Sequence, residues 1–137
     1  MKTSFGLDRY RVERKPIADN AIVLELPHLP PSTNNLYLNV KGRGRVKSGK
    51  YVDWLSTAGL LINTQVKGRV TGRVDVLVRV EDCHPTRDGD NITKPICDLL
   101  VKCGVIQDDR AKFVRSSGTR WDQSIKGVRI EITKVAA

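Results

Sequence analysis

The sequence has few of the residues that build disulfide scaffolds and zinc sites. It contains three cysteines, at 83, 97 and 103, and two histidines, at 28 and 84. Because the cysteine number is odd and no Cys-x-x-Cys pair occurs, the pattern argues against both a disulfide framework and a zinc site of the usual spacing. No apolar run approaches the ~20 residues of a membrane helix. The first residues also lack the apolar segment of a secretory signal. We therefore expect a soluble protein of a reducing compartment.

Acidic residues are also scarce relative to basic ones. The 137 residues include 24 Lys and Arg against 15 Asp and Glu, a net charge of +9. This balance favours a polyanionic partner, nucleic acid before a membrane surface. The alternative is an ordinary basic protein with a solvated charged face. The length fits a single domain.

Composition along the chain indicates where the domain begins and where loops interrupt it. Residues 1–20 are polar and of mixed charge, so we expect an extension or arm, followed by the domain at 21–137. Residues 21–26 form a short apolar run ended by proline, which predicts a strand. The Pro-Pro and Asn-Asn pairs in 29–35 predict a rigid loop. Residues 41–50 hold five cations and three glycines, and such a segment is expected to be too charged and flexible to fold alone.

Hydrophobic periodicity predicts two helices and three further strands in the rest of the chain. In order these are a helix from Ser48 or Gly49 to about Gly68, a strand at 74–80, a helix from about Lys94 to Gly104, and strands at 111–121 and 126–134. The expected fold class is therefore α+β: a small mixed β-sheet packed with two main helices in a single domain.

Four acidic residues stand out against the basic background. Asp88 and Asp90 precede the second predicted helix, and Asp108 and Asp109 follow it. A helix of this length rises ~15 Å, and the extended residues after it return ~17–20 Å, which would bring Asp109 near the first pair. Clustered carboxylates repel one another unless they are protonated or bind a cation, and such ligands suit Mg²⁺ or Mn²⁺. The alternative is structural: Asp90 as a helix cap and Asp108-Asp109 as a turn.

Lys94 favours the catalytic interpretation. It lies four residues after Asp90 and would share its helix face, where a cation can stabilise the charge that develops on a phosphoryl group. Its alternative role is a salt bridge to Asp98, again four residues away. Pro95 removes a helix hydrogen bond and disfavours α geometry before it. We therefore expect the regular helix to begin near Lys94, with Asp90 and Asn91 in a shaped loop.

These residues form a pattern that resembles a known family. The segments are RDGDNITKPICDLL at 87–100, GVIQDD at 104–109 and LPPSTN at 29–34. Together they resemble the RusA family of Holliday junction resolvases, metal-dependent endonucleases often carried by phages and prophages. The family pattern is D-x-D-N-x-x-K, then D-x-L, then G-V-x-x-D-D, preceded by P-P-S-x-N.

The resemblance implies roles for individual residues. Asp88, Asp90 and Asp109 match the carboxylates that bind Mg²⁺, with Mn²⁺ a possible substitute, and Lys94 matches the essential lysine. Asp108 is the neighbouring acid and ranks below Asp109. The resemblance also implies a homodimer that nicks four-way DNA junctions in recombination and repair, in the cytoplasm of a bacterial or phage-infected cell.

Basic residues around these acids are expected to contact the DNA backbone, because phosphate contacts supply affinity without reading bases. The candidates are Lys41, Arg43, Arg45, Lys47, Lys50, Arg87, Arg110 and Lys112, with Arg115 and Arg120. Two other functions remain open. One is a non-catalytic DNA-binding module with structural acids. The other is a metal-dependent phosphatase of small molecules, which would leave the +9 charge unexplained.

Overall fold

Strands and helices alternate along the chain in the computed structural model, which describes residues 12–32 and 35–136. The elements are β1 (Ala21–Leu26), β2 (Tyr37–Val40), β3 (Gly44–Lys47), α1 (Gly49–Gln65), β4 (Val74–Glu81), α2 (Asp90–Cys103), β5 (Val114–Asp122) and β6 (Val128–Lys134). The predicted α+β class, with a mixed sheet and two main helices in one small domain, is confirmed.

The main sheet has the strand order β1-β6-β4-β5. β6 pairs antiparallel with β1 and β4, whereas β4 and β5 are parallel, so α2 serves as the crossover that a parallel pair requires. Alternation of apolar residues explains which face is buried: Val76, Val78 and Val80 of β4 are 0–2% exposed. α1 packs against β1 and α2, and α2 packs against β4 and β5.

A hairpin of β2 and β3 is an element that the sequence did not predict. The two strands pair antiparallel from Tyr37–Lys47 to Val40–Gly44, and Gly42 and Gly44 supply the positive φ angles of the turn. Part of residues 41–50 is therefore a regular strand within the domain, whereas the expectation that the segment would not fold alone stays a prediction. The segment is anchored at its end, where the Ser48 amide donates to the Leu36 carbonyl at 2.8 Å.

The start of α1 agrees with the prediction and its end does not. Ser48 is the N-cap, and its hydroxyl accepts the Tyr51 amide at 3.1 Å. The helix ends at Gln65 rather than near Gly68, because Val66 is already extended at φ −139°. The glycine at 68 therefore lies beyond the helix.

α2 begins earlier than the sequence predicts. It starts at Asp90 and contains Pro95, so the expected loop at residues 90–91 is wrong. The first turn forms upstream of the proline because the Gly89 carbonyl accepts the amides of Ile92 and Thr93, each at 3.0 Å. The predicted end is confirmed: Gly104 adopts φ 81° and closes the helix in the left-handed conformation.

The last two strands begin later than the sequence predicts. Residues 110–113 form a turn, in which the Phe113 and Val114 amides donate to the Arg110 carbonyl at 2.8 and 2.9 Å. β5 therefore starts at Val114 rather than 111. Gly127, at φ 67°, completes the turn before β6, which starts at 128 rather than 126.

The segment before β1 lies against the ends of both helices. Arg14 is 8% exposed, and its guanidinium donates to the carbonyls of Cys103 at 2.9 Å and Val66 at 2.8 Å. The Ile17 amide donates to the Arg69 carbonyl at 2.9 Å. The part of the predicted arm that the structure describes thus packs on the domain, while residues 1–11 lie outside the described residues. The domain boundary at residue 20 stays a prediction.

Two of the exclusions drawn from composition can be compared with the structure. Cys83, Cys97 and Cys103 are not joined by disulfide bonds, in agreement with the interpretation of their number and spacing. Within residues 12–32 and 35–136, no helix has the length and apolar character needed to span a membrane.

Candidate active site

The first wall of the site is the loop that starts α2. Asp88 accepts the Asp90 amide on its carboxylate at 3.1 Å, so it satisfies one of the amides that the helix start leaves open. Asp90 is the first helical residue, where a negative charge also interacts favourably with the helix dipole. The N-cap position belongs to Gly89, without a side-chain cap, so Asp90 does not have the capping role that the sequence offered as the alternative.

The second wall is the segment between α2 and β5. After Gly104 the chain reverses and brings Asp109 back to the helix, where its carboxylate lies 3.8 Å from the Lys94 ammonium. Asp90 and Asp109 line one cleft of about 290 Å³. The full lining is Asp90, Thr93, Lys94, Cys97, Asp109, Val114 and Ser117. Of the two acids that the sequence predicts near Asp109, Asp90 lines the same cleft.

Lys94 joins the two walls. Its ammonium lies 3.5 Å from the Asp98 carboxylate and 3.8 Å from that of Asp109. The charge of Asp98 raises the pKa of Lys94, burial opposes it with a smaller effect, and the charge of Asp109 raises the pKa further. The side chain is 72% exposed. The salt bridge considered from the sequence therefore exists, and the same ammonium also reaches the cleft.

A second cleft adjoins the first on the side of the hairpin. It measures about 570 Å³ and shares Asp90 and Lys94 with the first cleft. Its remaining lining is Leu36, Tyr37, Arg45, Tyr51, Asn91, Pro95 and Asp98. The Arg45 guanidinium lies over the Tyr37 ring, 4.2 Å from its centroid. One predicted DNA-contacting cation of the hairpin is thus held beside the carboxylates.

The other predicted basic residues occupy different environments. Lys41, Arg43, Lys47 and Lys50 are exposed on the hairpin and at the start of α1. Arg87 is half-buried and donates to the Pro30 carbonyl at 3.0 Å, so it ties the Pro-Pro loop to the loop of Asp88.

The predicted DNA-contacting residues after α2 are all exposed: Arg110, Lys112, Arg115 and Arg120. Arg110 pairs with Asp108 at 2.7 Å, and the Lys112 ammonium lies 5.6 Å from the Phe113 ring centroid. Arg115 is paired with Asp75.

The donor set can be compared with the metal that the sequence implies. No group of three His, Cys, Asp or Glu residues in the described ranges is arranged to hold one ion, so Asp88, Asp90 and Asp109 do not form the expected three-carboxylate cluster. Two carboxylates, Asp90 and Asp109, do face one cleft. Mg²⁺ is commonly bound through one or two carboxylates plus water and substrate phosphate, so this pair fits a hard divalent cation.

Asp108 is engaged in local contacts. Its carboxylate accepts the Asp109 amide and the Arg110 guanidinium, each at 2.7 Å. The bond from the Asp109 amide, followed by that from Arg110, lowers the pKa of Asp108. These contacts agree with ranking Asp108 below Asp109.

Several cleft residues were missed by the sequence reasoning. Thr93 and Cys97 lie three and seven residues after Asp90, a helical spacing that could have placed them on its face. Burial, followed by the charge of Asp109, raises the pKa of the Cys97 thiol to about 11. Ser117 comes from β5, and no motif in the sequence marks it.

Comparison with known proteins identifies the family of this chain. The family model described as "Endodeoxyribonuclease RusA" matches residues 27–133. The chain belongs to the RusA family. It is also similar to the crossover junction endodeoxyribonuclease RusA of Aquifex aeolicus (strain VF5), with 29% identity over 114 residues, which is 81% of this chain and 90% of that protein. The predicted RusA resemblance and the predicted enzyme class, an endodeoxyribonuclease, are confirmed. The RusA match includes both walls of the cleft and the hairpin.

Proposed function

We propose that this protein is a Mg²⁺-dependent endonuclease that resolves four-way DNA junctions by paired nicks. The observation that carries the proposal is the cleft that Asp90 and Asp109 line together with Lys94, on a chain of net charge +9. The similar Aquifex aeolicus protein is named as a crossover junction endodeoxyribonuclease, which supports a branched substrate. This activity would serve recombination and repair in the cytoplasm of a bacterial or phage-infected cell.

Asp90 and Asp109 would hold Mg²⁺, or Mn²⁺ in its place, with Asp88 contributing from the start of the helix. When bound, such a cation would polarise the scissile phosphate and lower the pKa of an attacking water. The ammonium of Lys94 would stabilise the negative charge that develops on the phosphoryl oxygens. Asp98 raises the pKa of Lys94, so the side-chain amine of Lys94 is protonated at neutral pH.

The basic residues would supply the affinity for DNA. Exposed cations of the hairpin lie beside the second cleft, and others follow Asp109. The proposed phosphate contacts are Lys41, Arg43, Arg45, Lys47, Lys50, Arg87, Arg110 and Lys112. Because such contacts carry no sequence information by themselves, the shape of the junction would be recognised.

We also propose that the active form is a homodimer. The described residues of each chain place Asp90 and Asp109 in a single cleft, whereas a junction must be nicked in two strands related by approximate two-fold symmetry. A two-fold dimer, the commonest soluble oligomer, supplies two sites in that relation. Sedimentation equilibrium at micromolar concentration should give about twice the chain mass. A stable monomer that releases both nicks in one binding event would overturn this part of the proposal.

Incubation with an end-labelled four-way junction tests the activity directly. We expect paired nicks with Mg²⁺, none in EDTA, and little cutting of a linear duplex of the same sequence. Binding of the junction without divalent-dependent nicking would contradict the proposal and favour a non-catalytic DNA-binding module. Equal cutting of the linear duplex would contradict only the preference for junctions, and not the nuclease activity.

A further inference from the structure

The carbonyl oxygen of Gly89 connects the first wall of the cleft to β5, the strand that follows the second wall. On the helix side it accepts the amides of Ile92 and Thr93, each at 3.0 Å. On the sheet side it accepts the hydroxyl of Thr119, a β5 residue, at 2.9 Å. This one oxygen therefore ties the start of α2 to the neighbouring strand.

A second hydroxyl orients the first. The Oγ1 atoms of Thr93 and Thr119 lie 2.6 Å apart, and Thr93 is buried. Each hydroxyl has one proton, and a carbonyl can only accept. The Thr93 hydroxyl also lies 3.2 Å from the Gly89 carbonyl oxygen, farther than the Thr119 hydroxyl at 2.9 Å. With Thr119 as the closer donor to Gly89, the short contact is satisfied when Thr93 donates to Thr119. The two threonines and the carbonyl then form a directed chain of hydrogen bonds.

The same contact explains why residue 89 is a glycine. Its backbone, at φ −60° and ψ −37°, is in the helical region that any residue can adopt, so conformational freedom is not the reason. A Cβ at this position would lie 3.1 Å from the Cβ of Thr119, closer than ordinary van der Waals contact. The glycine therefore permits the close approach of the loop to β5.

We propose that Thr119 is a positioning residue that fixes the spacing of the carboxylates across the cleft, an inference that rests on the proposed function. Gly89 stands between Asp88 and Asp90 on one wall. β5, the strand that carries Thr119, follows Asp109 after the turn at residues 110–113, and its Val114 and Ser117 line the cleft. The Thr119–Gly89 bond is thus a hydrogen-bonded tether between the two groups of acids. Outer contacts of this kind orient metal-binding carboxylates.

The test compares three variants of the full-length protein. Thr119→Val removes the hydroxyl and keeps the shape, whereas Thr119→Ser keeps the hydroxyl. Thr133→Val makes the same change at an exposed position of β6 and is the matched control. Mn²⁺ affinity is measured by calorimetry on the protein alone, junction cleavage is measured at saturating Mg²⁺, and amide hydrogen exchange is followed at Ile92 and Thr93.

We expect Thr119→Val to weaken Mn²⁺ binding or slow cleavage by about 10- to 100-fold, the usual effect of losing an outer contact. Exchange at the two amides should become faster, whereas junction binding in EDTA should not change. Thr119→Ser should recover most of each loss, and Thr133→Val should behave as wild type.

The positioning role would be overturned if the amides of Ile92 and Thr93 exchange at the wild-type rate in Thr119→Val. It would also be overturned if they exchange faster while Mn²⁺ affinity and cleavage stay unchanged. Failure of the wild-type protein to cut junctions would instead contradict the proposed function. The exchange measurement needs neither metal nor DNA, so it separates the two failures.

Discussion

The ammonium of Lys94 lies 3.8 Å from the carboxylate of Asp109, so a side chain of α2 reaches across the cleft to the segment that leads into β5. Lys94 and Asp109 belong to two separate parts of the motif, and the contact shows that the fold brings these parts to one place. It also puts a positive charge beside the acids that would hold a cation, which is where a phosphate would have to enter.

For Lys94→Gln we expect a loss of roughly 10²- to 10³-fold in the cleavage rate, comparable to the removal of one transition-state donor. The free energy of unfolding should change by less than about 1 kcal/mol, because exposed ion pairs contribute little. Single-turnover cleavage and urea unfolding are the measurements. Lys102→Gln, at the exposed C-terminal end of the same helix, should cut at the wild-type rate. Near wild-type cleavage by Lys94→Gln would remove Lys94 from the mechanism.

The carboxylates give a second prediction. Asp88→Asn, Asp90→Asn and Asp109→Asn should each abolish junction cleavage while leaving junction binding largely intact, because the basic residues supply the phosphate contacts and loss of an acid lowers repulsion toward DNA. Cleavage in Mg²⁺ and gel-shift binding in EDTA measure the two properties. Asp108→Asn is the control: Asp108 is occupied by Arg110, so this variant should still cut. If Asp88→Asn, Asp90→Asn or Asp109→Asn cuts at the wild-type rate, the metal role of the substituted residue is wrong.

The hairpin gives a third prediction. Neutralising Lys41, Arg43, Arg45 and Lys47 together should weaken binding to every DNA form and flatten its salt dependence. The slope of log affinity against log salt scales at roughly −0.9 per phosphate neutralised on duplex DNA. Fluorescence anisotropy over a salt series gives the slope.

As a control for the hairpin, neutralising the exposed Lys67 and Lys102 removes positive charge near the C-terminal ends of the two helices. This variant should keep the wild-type slope. An unchanged slope in the hairpin variant would show that the hairpin does not contact the phosphates.

Arg14 gives a fourth prediction, which concerns stability. Its guanidinium bridges the carbonyls of Val66 and Cys103 at the ends of the two helices. Arg14→Met should lower the free energy of unfolding by about 3 kcal/mol, because hydrogen bonds to a charged donor are lost where the carbonyls are buried. Urea unfolding measures the change, and Lys15→Met, at the exposed next position, should alter it little. A loss below about 1 kcal/mol for Arg14→Met would contradict a stabilising role.

Local patterns in the sequence were sufficient to predict several elements of the fold. The alternation of valines specified the buried face of β4, because period-two patterning depends only on neighbouring residues. Ser48 and Gly104 marked one end of each helix, since capping is also a local interaction. The motif of Asp88, Asp90, Lys94 and Asp109 was complete in the sequence and predicted the family.

Other features depended on contacts between distant residues. The sequence reasoning missed the hairpin because the charge of residues 41–50 indicated an irregular segment. In the folded chain the glycine turn and the pairing of β2 with β3 outweigh that charge. The start of α2 was missed because bonds to the Gly89 carbonyl allow the helix to form ahead of Pro95. The meeting of Thr119 with Gly89 has no periodic signal, since it depends on β5 lying parallel to β4. The sequence by itself determined which residue types the site contains. The tertiary structure decided that Asp90 and Asp109 share a cleft, because only the packing of α2 against the sheet brings these two segments together.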